Sequence, residues 1–326
     1  MSDQAVVRQT AELLGSAVER DVVLASFTTY KIGGPADLFV RAQSVSQLLE
    51  LSGAVASTGI DVFVIGQGSN LLIADDGWRG LVVLFDGAEF DTITVDDTQV
   101  VAGAAVKLPV LARRSAAAGI SGLEWMVGVP GSVGGAIRMN AGGHGSDCAA
   151  NLQSVHTIDL RAGKGLQMRP AANLHLGYRT SSIAASEVVV DATFDGTPGN
   201  PDASEEVLRE IVRWRRANQP GGANCGSVFT NPTGDSAGRL IDAAGLKGLR
   251  VGTAFVSVKH ANFIQADPHA RAADVWALIE TVRRTVFERT GIALHPEVRT
   301  IGFDAQLAVL DATVPAPHTG PPTRRP

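Results

Sequence analysis

Between residues 37 and 106 the chain alternates short apolar, β-branched runs with one stretch of helical spacing. DLFVRA (37–42) and DVFVIG (61–66) read as strands, and SVSQLLELSGAVASTG (44–59) between them reads as a helix. LVVLF (81–85) and QVVAGAAV (99–106) continue as strands, and LPVLARRSAAAGI (108–120) predicts a helix ending near Gly119. This is a mixed α/β stretch, not regular βαβ winding. From 152 to 196 the pattern is strand-rich and closes on SEVVVDATFDG (186–196). A long helix is predicted over 203–219 and stops at Pro220. Ser204 is its expected cap, with Glu205 and Glu206 early and arginines late, as the helix dipole favours. That helix marks a boundary. Beyond it come a short helix near 236–245, strands across 253–266 and a helix around 272–290. Val275, Leu278, Ile279, Val282 and Val286 share one face of the last. The domains expected are therefore 1–200, in two parts of about 1–85 and 86–200, then 201–304. The remaining segment, 305–326, reads as a disordered tail, because five of the fifteen prolines fall in the final twelve residues.

Composition narrows the classes of partner. The chain has 326 residues, 45% of them hydrophobic and 19% charged, enough for a large buried core. A net charge of −5 argues against nucleic acid as the main partner, though not against a small anionic ligand held in a local basic pocket. No apolar run of about 18 residues predicts a membrane span, and the N-terminus lacks the basic and apolar regions of a signal peptide. The two cysteines, Cys148 and Cys225, fit lone thiols in a reducing cytoplasm better than a disulfide. The seven histidines form no H-x-x-x-H, and there is no C-x-x-C, so no metal is expected. No obligate protein partner is evident.

The densest local signal is GVPGSVGGAIRMNAGG (128–143), with six glycines in sixteen positions and no acidic residue. Three G-x-G triplets occur elsewhere or at its edge, at 66–68, 143–145 and 163–165. Leu71, Cys148 and Met168 stand where the dinucleotide fingerprint needs its third glycine, and Lys164 is not followed by Ser or Thr as in a Walker A loop. Two non-standard loops remain, GQGSNLL (66–72) and GVPGSVGGA (128–136). Each carries a serine, Ser69 or Ser132. Either could be a tight turn, or the pair could be two backbone nests flanking a pyrophosphate. CGSVFTNP (225–232) holds Ser227 outside any G-x-S-x-G elbow, which leaves a turn serine or a reactive one. Arg179 in GYRTS (177–181) is either a surface ion pair or a substrate clamp. HPEVRTIG (295–302) puts Glu297 and Arg299 at spacing two, as a strand salt pair or as two groups aimed into a cleft. His144 reads as a loop histidine rather than a flavin attachment point.

Taken in order, TTYKIGGPAD (28–37), GQGSNLLIADDGWRG (66–80), GLEWMVGVPGSVGGAIRMNAGG (122–143), GYRTS, CGSVFTNP and HPEVRTIG resemble the UDP-N-acetylenolpyruvoylglucosamine reductase family from about Tyr30 to Gly302. The absence of a long insertion between GYRTS and CGSVFTNP looks like the shorter subtype, which lacks a substrate-covering loop. The resemblance implies an α+β fold with a two-part FAD-binding domain of the vanillyl-alcohol-oxidase-like (PCMH) type, then a smaller α+β substrate-binding domain. It implies non-covalent FAD, NADPH as hydride donor and a cytoplasmic enzyme. The reaction implied is reduction of UDP-N-acetylglucosamine enolpyruvate to UDP-N-acetylmuramate for peptidoglycan. In it, NADPH reduces the flavin, and flavin N5 then passes hydride to the vinyl carbon.

By the same resemblance Arg179, Ser227 and Glu297 are catalytic: a cationic clamp, a proton donor and a protonated carboxyl. The cofactor-binding set is Tyr30, Gly66, Gly68, Ser69, Asn70, Gly128, Pro130, Gly131, Ser132, Gly134, Gly135, Asn140 and Arg215. Substrate contacts are expected from Asn231, Asn262 and Arg299. Three positions depart from the family pattern. Asn218 stands where lysine is common, Ala266 where asparagine is common, and His295 where an acidic or amide residue is usual. Two alternatives follow from a weaker match: a flavin oxidase or dehydrogenase acting on another sugar or alcohol, and a non-catalytic UDP-sugar-binding protein.

Overall fold

The strand and helix signals above resolve into several sheets packed around buried apolar clusters in a computed structural model that describes residues 3–303. The proline-rich tail anticipated at 305–326 lies outside the described residues. The chain divides into two compact units. One holds the chain up to Phe27, Pro35–Ser69 and Trp78–Asn218; the other holds Thr28–Gly34, Asn70–Gly77 and the chain from Gln219 onward.

The first unit contains two large sheets beside two short two-stranded pairs. Its four-stranded sheet runs in the order Val18–Val23, Pro35–Ala42, Trp78–Phe85, Val62–Ile65, antiparallel at the first pair and parallel across the others. Two helices join it. α1 (Gln4–Leu14) is capped by Asp3, whose carboxylate accepts from the N–H groups of Ala5 and Val6. α2 (Val45–Thr58) is capped by Ser44 and closed by Gly59 in the left-handed region. α1 and the strand Val18–Val23 carry a signal the periodicity reading passed over: the Asp3 cap, then Val7 and Ala11 buried one turn apart.

The second sheet is antiparallel throughout, in the order Gln167–Pro170, Leu152–Asp159, Glu187–Asp195, Gln99–Gly103, Ile93–Asp96. Against its core lie α3 (Leu108–Ala117), α4 (Val133–Arg138) and α5 (Pro201–Asn218). α5 brings Leu208 and Ile211 into that core beside Leu123 and Met126, so the helix groups with the first unit and the break falls after Asn218, not after residue 200. Burial of each such side chain contributes roughly 1.5–3 kcal/mol. The cap of α5 also differs from expectation. Asn200 Oδ1 accepts from the N–H groups of Asp202 (2.8 Å) and Ala203 (3.2 Å). Ser204 lies inside the helix, buried, donating to Glu124 at 2.6 Å. Pro201 at the first helical position explains the shift, since it needs no N–H acceptor there.

The second unit is built on α6 (Ala237–Ala243), α7 (Ala272–Thr290), a three-stranded sheet (Arg250–Val251, Ala254–Val256, Ile264–Ala266) and a parallel pair, Leu71–Ile73 with Arg299–Ile301. Val275, Leu278, Ile279, Val282 and Val286 of α7 are all buried, the face read from the sequence. The residue preceding α7, Arg271, makes no side-chain cap. Asp75 does it from a distant segment, accepting from Ala272 N–H at 2.8 Å and Ala273 N–H at 3.1 Å. Asp75→Ala is therefore expected to cost about 1–2 kcal/mol of stability, read as a lower melting temperature with secondary structure unchanged below it. An unaltered melt would mean the cap is dispensable.

Candidate active site

In the first unit the two glycine loops meet. Ser69 Oγ donates to Pro130 O at 3.2 Å. A Cβ on Gly131, whose φ is +130°, would lie 3.0 Å from Ser69 Oγ, and one on Gly66 would lie 2.6 Å from Ser132 Oγ. Glycine at these two positions is what lets the loops touch. Gly134 is needed for a different approach: its added Cβ would stand 3.1 Å from Ala104 Cβ. The helix-end N–H groups after Ser132 are already engaged, Val133 with Val106 O (2.9 Å) and Gly134 with Ala104 O (3.0 Å). The backbone facing an anion is thus that of the loops themselves, around Gly66, Ser69, Gly131 and the exposed Gly135. Such a backbone-lined cradle, which a Cβ would fill, fits an extended anionic group such as the pyrophosphate of FAD.

Gly128 belongs to packing. A Cβ there would fall 2.3 Å from the ring of His144 and 2.9 Å from Ile211. His144, at φ +54°, stands edge-on to Trp214 at 5.2 Å. Burial, then the neighbouring Arg215, holds the His144 imidazole below its usual range, so it is neutral near pH 7. Arg215 is half-buried, and burial lowers its guanidinium from the ordinary value.

Arg179 sits in the same unit with φ +57°, a left-handed conformation costing roughly 1–2 kcal/mol for a residue with a Cβ. Its guanidinium donates to Gly142 O at 3.0 Å and lies 5.1 Å from the Tyr178 ring centre. Asn140, also left-handed at φ +38°, stitches this region together. It donates to Gly177 O at 2.9 Å and accepts from Ala149 N–H at 3.0 Å. With 2% of its surface exposed, Asn140 is a buried clamp between loop segments.

In the second unit, Ser227 and Glu297 lie on paired segments. Phe229 and Pro296 form an antiparallel bridge, Glu297 N–H donates to Val228 O at 2.7 Å, and Thr230 N–H to His295 O at 3.0 Å. Glu297 precedes the strand that begins at Arg299, so the two do not share one strand face; Arg299 is exposed. Two buried groups flank this ladder. Tyr30 donates to Ile264 O at 3.1 Å and is buried in the core, with 1% of its surface exposed. Burial raises its phenol well above the ordinary value and pushes the Cys225 thiol up to about 12. Both stay protonated near neutrality, which removes Cys225 as a nucleophile.

The amides expected to touch ligand are mostly committed to backbone. Asn262, 4% exposed, accepts from Phe229 N–H at 3.0 Å and donates to Phe229 O at 2.8 Å. Asn70 donates to Glu297 O at 3.0 Å. Asn231 is exposed and caps α6 by accepting from Ala237 N–H. Among the positions that depart from the family pattern, Asn218 donates to Trp214 O in the last turn of α5, and Ala266 is buried in its sheet. Sequence reading missed Asp75 and Asn200. Each is an Asx residue whose partner is set by where the chain returns, and only the Asn200–Pro201 pair carries a local signal.

Residues 36–168 match the FAD binding domain family, and residues 218–301 match the C-terminal domain of UDP-N-acetylenolpyruvoylglucosamine reductase. Fold and loops thus define a flavoprotein of the α+β class, with an FAD-binding region followed by a smaller domain. A UDP-N-acetylenolpyruvoylglucosamine reductase of Synechococcus is 43% identical over 291 residues, covering 88% of this chain and 94% of the relative. One from Rubrobacter xylanophilus is 40% identical over 295 residues, covering 90% and 98%. The crystal structure of the enzyme from Thermus caldophilus superposes with a TM-score of 0.76 at 36% identity, covering 87% of this chain and 98% of that one. The chain belongs to the UDP-N-acetylenolpyruvoylglucosamine reductase family, and it is an oxidoreductase that uses FAD.

Proposed function

We propose that Arg179, Ser227 and Glu297 carry the chemistry of this reductase, which converts UDP-N-acetylglucosamine enolpyruvate to UDP-N-acetylmuramate for peptidoglycan precursor synthesis with NADPH as donor. FAD, when bound, takes hydride from NADPH and supplies it to the vinyl carbon of the substrate. Residues around Gly66, Ser69, Pro130, Gly131 and Gly135 are those that would hold its pyrophosphate, and Arg215 is a further candidate for the cofactor. The unit carrying the glycine loops is the FAD-binding one, and the unit from Gln219 onward is the substrate-binding one.

Hydride addition leaves negative charge spread over the substrate's carboxylate and the carbon beside it. Arg179 is assigned the neutralisation of that charge. Its planar guanidinium is shaped to meet a carboxylate with two N–H groups, and its strained backbone is of the kind that concentrates at functional sites. Glu297, protonated at this step, donates a hydrogen bond to the same charge. Groups of this type contribute roughly 3–4 kcal/mol each in a water-poor site. Ser227 O–H delivers a proton to the carbon next to the carboxylate, and the alkoxide left behind recovers its proton from solvent.

The observation that supports this reading is the ladder from Val228 to Glu297, which holds the serine and the carboxyl on adjacent segments of one unit. A cytoplasmic setting suits the two buried thiols, neither of which is in a disulfide. Its test uses the flavin's own colour: purified protein is expected to be yellow, to bleach with NADPH and to recover on adding the enolpyruvyl substrate under anaerobic conditions. Bleaching without recovery would point to an oxidase of another substrate, and a protein that takes up no FAD would point to a binding protein.

A further inference from the structure

Asn262 has both ends of its side-chain amide paired with the backbone of one residue, Phe229, accepting from its N–H at 3.0 Å and donating to its C=O at 2.8 Å. Its own carbonyl accepts from Val228 N–H at 2.9 Å, and its N–H is received by His260 Nδ1 at 3.2 Å. With 4% of its surface exposed, it is buried among these partners. Val228 O in turn receives Glu297 N–H at 2.7 Å. On the far side of Glu297, Asn70 Nδ2 donates to Glu297 O at 3.0 Å, while Asn70 O accepts from Arg299 N–H at 3.0 Å. The segments of Ser227 and Glu297 are therefore gripped from both flanks by two asparagines within one compact unit.

Only a primary amide offers a donor and an acceptor spaced to pair with a peptide in this way; a carboxylate of the same shape loses the donor, and a leucine loses both. The grip matters because proton delivery depends on position. Displacement by about 1 Å of a reacting group can cost on the order of a hundredfold in rate.

We propose that Asn70 and Asn262 are positioning residues for the reductase reaction, two amide clamps that fix the backbone carrying Ser227 and Glu297, in place of the direct cofactor and substrate contacts their motifs imply. The proposal rests on the assignment of Ser227 and Glu297 above. Asn262 acts on the serine through the peptide of Phe229, two residues along the chain. Asn70 acts on the carboxyl residue through its carbonyl.

The holoenzyme carrying Asn262→Asp or Asn70→Asp is compared with wild type in steady state and by rapid mixing, following flavin absorbance. Each variant is expected to lower kcat at least about tenfold with KM changed by less than about threefold. Reoxidation by substrate should slow more than reduction by NADPH. Adding Asn262→Asp to Ser227→Ala, or Asn70→Asp to Glu297→Gln, should cost no more than about a further twofold, because each clamp acts through the residue already removed. A rise in KM with kcat intact would overturn the proposal in favour of substrate contact. Loss of bound FAD with both half-reactions slowed would overturn it in favour of cofactor contact, and fully multiplicative losses in the double variants would show the clamps act elsewhere. Asn70 is half-buried, so Asn70→Asp keeps the test open if the buried charge introduced by Asn262→Asp prevents that variant from folding. Failure of the underlying assignment looks different: Ser227→Ala and Glu297→Gln would then themselves leave turnover intact.

Discussion

Ser227→Ala is expected to lower turnover by about 10²–10⁴-fold, the range over which a positioned general acid contributes. The loss should fall on one half of the cycle. Reduction of the bound flavin by NADPH involves no proton delivery to the enolpyruvyl carbon and should continue, whereas reoxidation by substrate should nearly stop. Two neighbouring groups are poor substitutes. The Cys225 thiol, two residues away, is pushed up to about 12 by burial, and burial also raises the Tyr30 phenol well above its ordinary value. Glu297 on the paired segment and water are the remaining donors, which is why some activity should survive. Ser227→Cys restores an ionisable donor at the same place and should recover part of the loss. The measurement is rapid-mixing absorbance of the flavin in separate reductive and oxidative half-reactions. Equal and fast rates in both for Ser227→Ala would remove the serine from the mechanism.

Gly34→Ala is expected to destabilise the protein by roughly 3 kcal/mol, the upper end of the usual overpacking cost, because the methyl group is forced against backbone. The added Cβ would stand 2.1 Å from Asp75 O and 2.5 Å from Gly77 N. Both are backbone atoms of a turn held by Gly34 N–H and Gly77 N–H on Ala74 O, each at 2.9 Å. Moving that turn also displaces Asp75, the cap of α7, so one methyl group disturbs two elements. Gly53 supplies the contrast. It lies within α2, and a Cβ there meets nothing within 4 Å. Gly53→Ala should stabilise by about 0.5–1 kcal/mol through helix propensity alone. Thermal melts of the two variants should therefore shift in opposite directions. A melt of Gly34→Ala within a degree of wild type would show that the turn adapts.

Legibility varied with how local the physics is. α7 and α2 were readable because an amphipathic stripe with a Ser cap or a closing glycine is complete within its own residues. The Asp75 cap was not, since a carboxylate that serves a helix almost two hundred positions away leaves no trace in spacing. Ser204 misled for the converse reason: it is a good cap residue in a plausible place, but Pro201 starts the helix earlier and Asn200 takes the role. The glycines of 128–143 were countable in the sequence, yet their purposes separate only in space. Gly131 admits Ser69, Gly134 admits Ala104, and Gly128 makes room for His144.

The site divides in the same way. Ordered motifs were sufficient for the family and the cofactor class, and the resemblance they carry singled out Arg179, Ser227 and Glu297 as candidates. The tertiary structure decided which candidate side chains retain a surface for ligand. Tyr30, Asn140 and Asn262 read as binding residues by motif, but burial and hydrogen bonds commit them to core and backbone. The physical reason is that a side-chain amide or hydroxyl looks the same in sequence whether its partner is a ligand or a peptide. Which partner it finds is set by the segments that the fold brings against it, and those segments lie far along the chain.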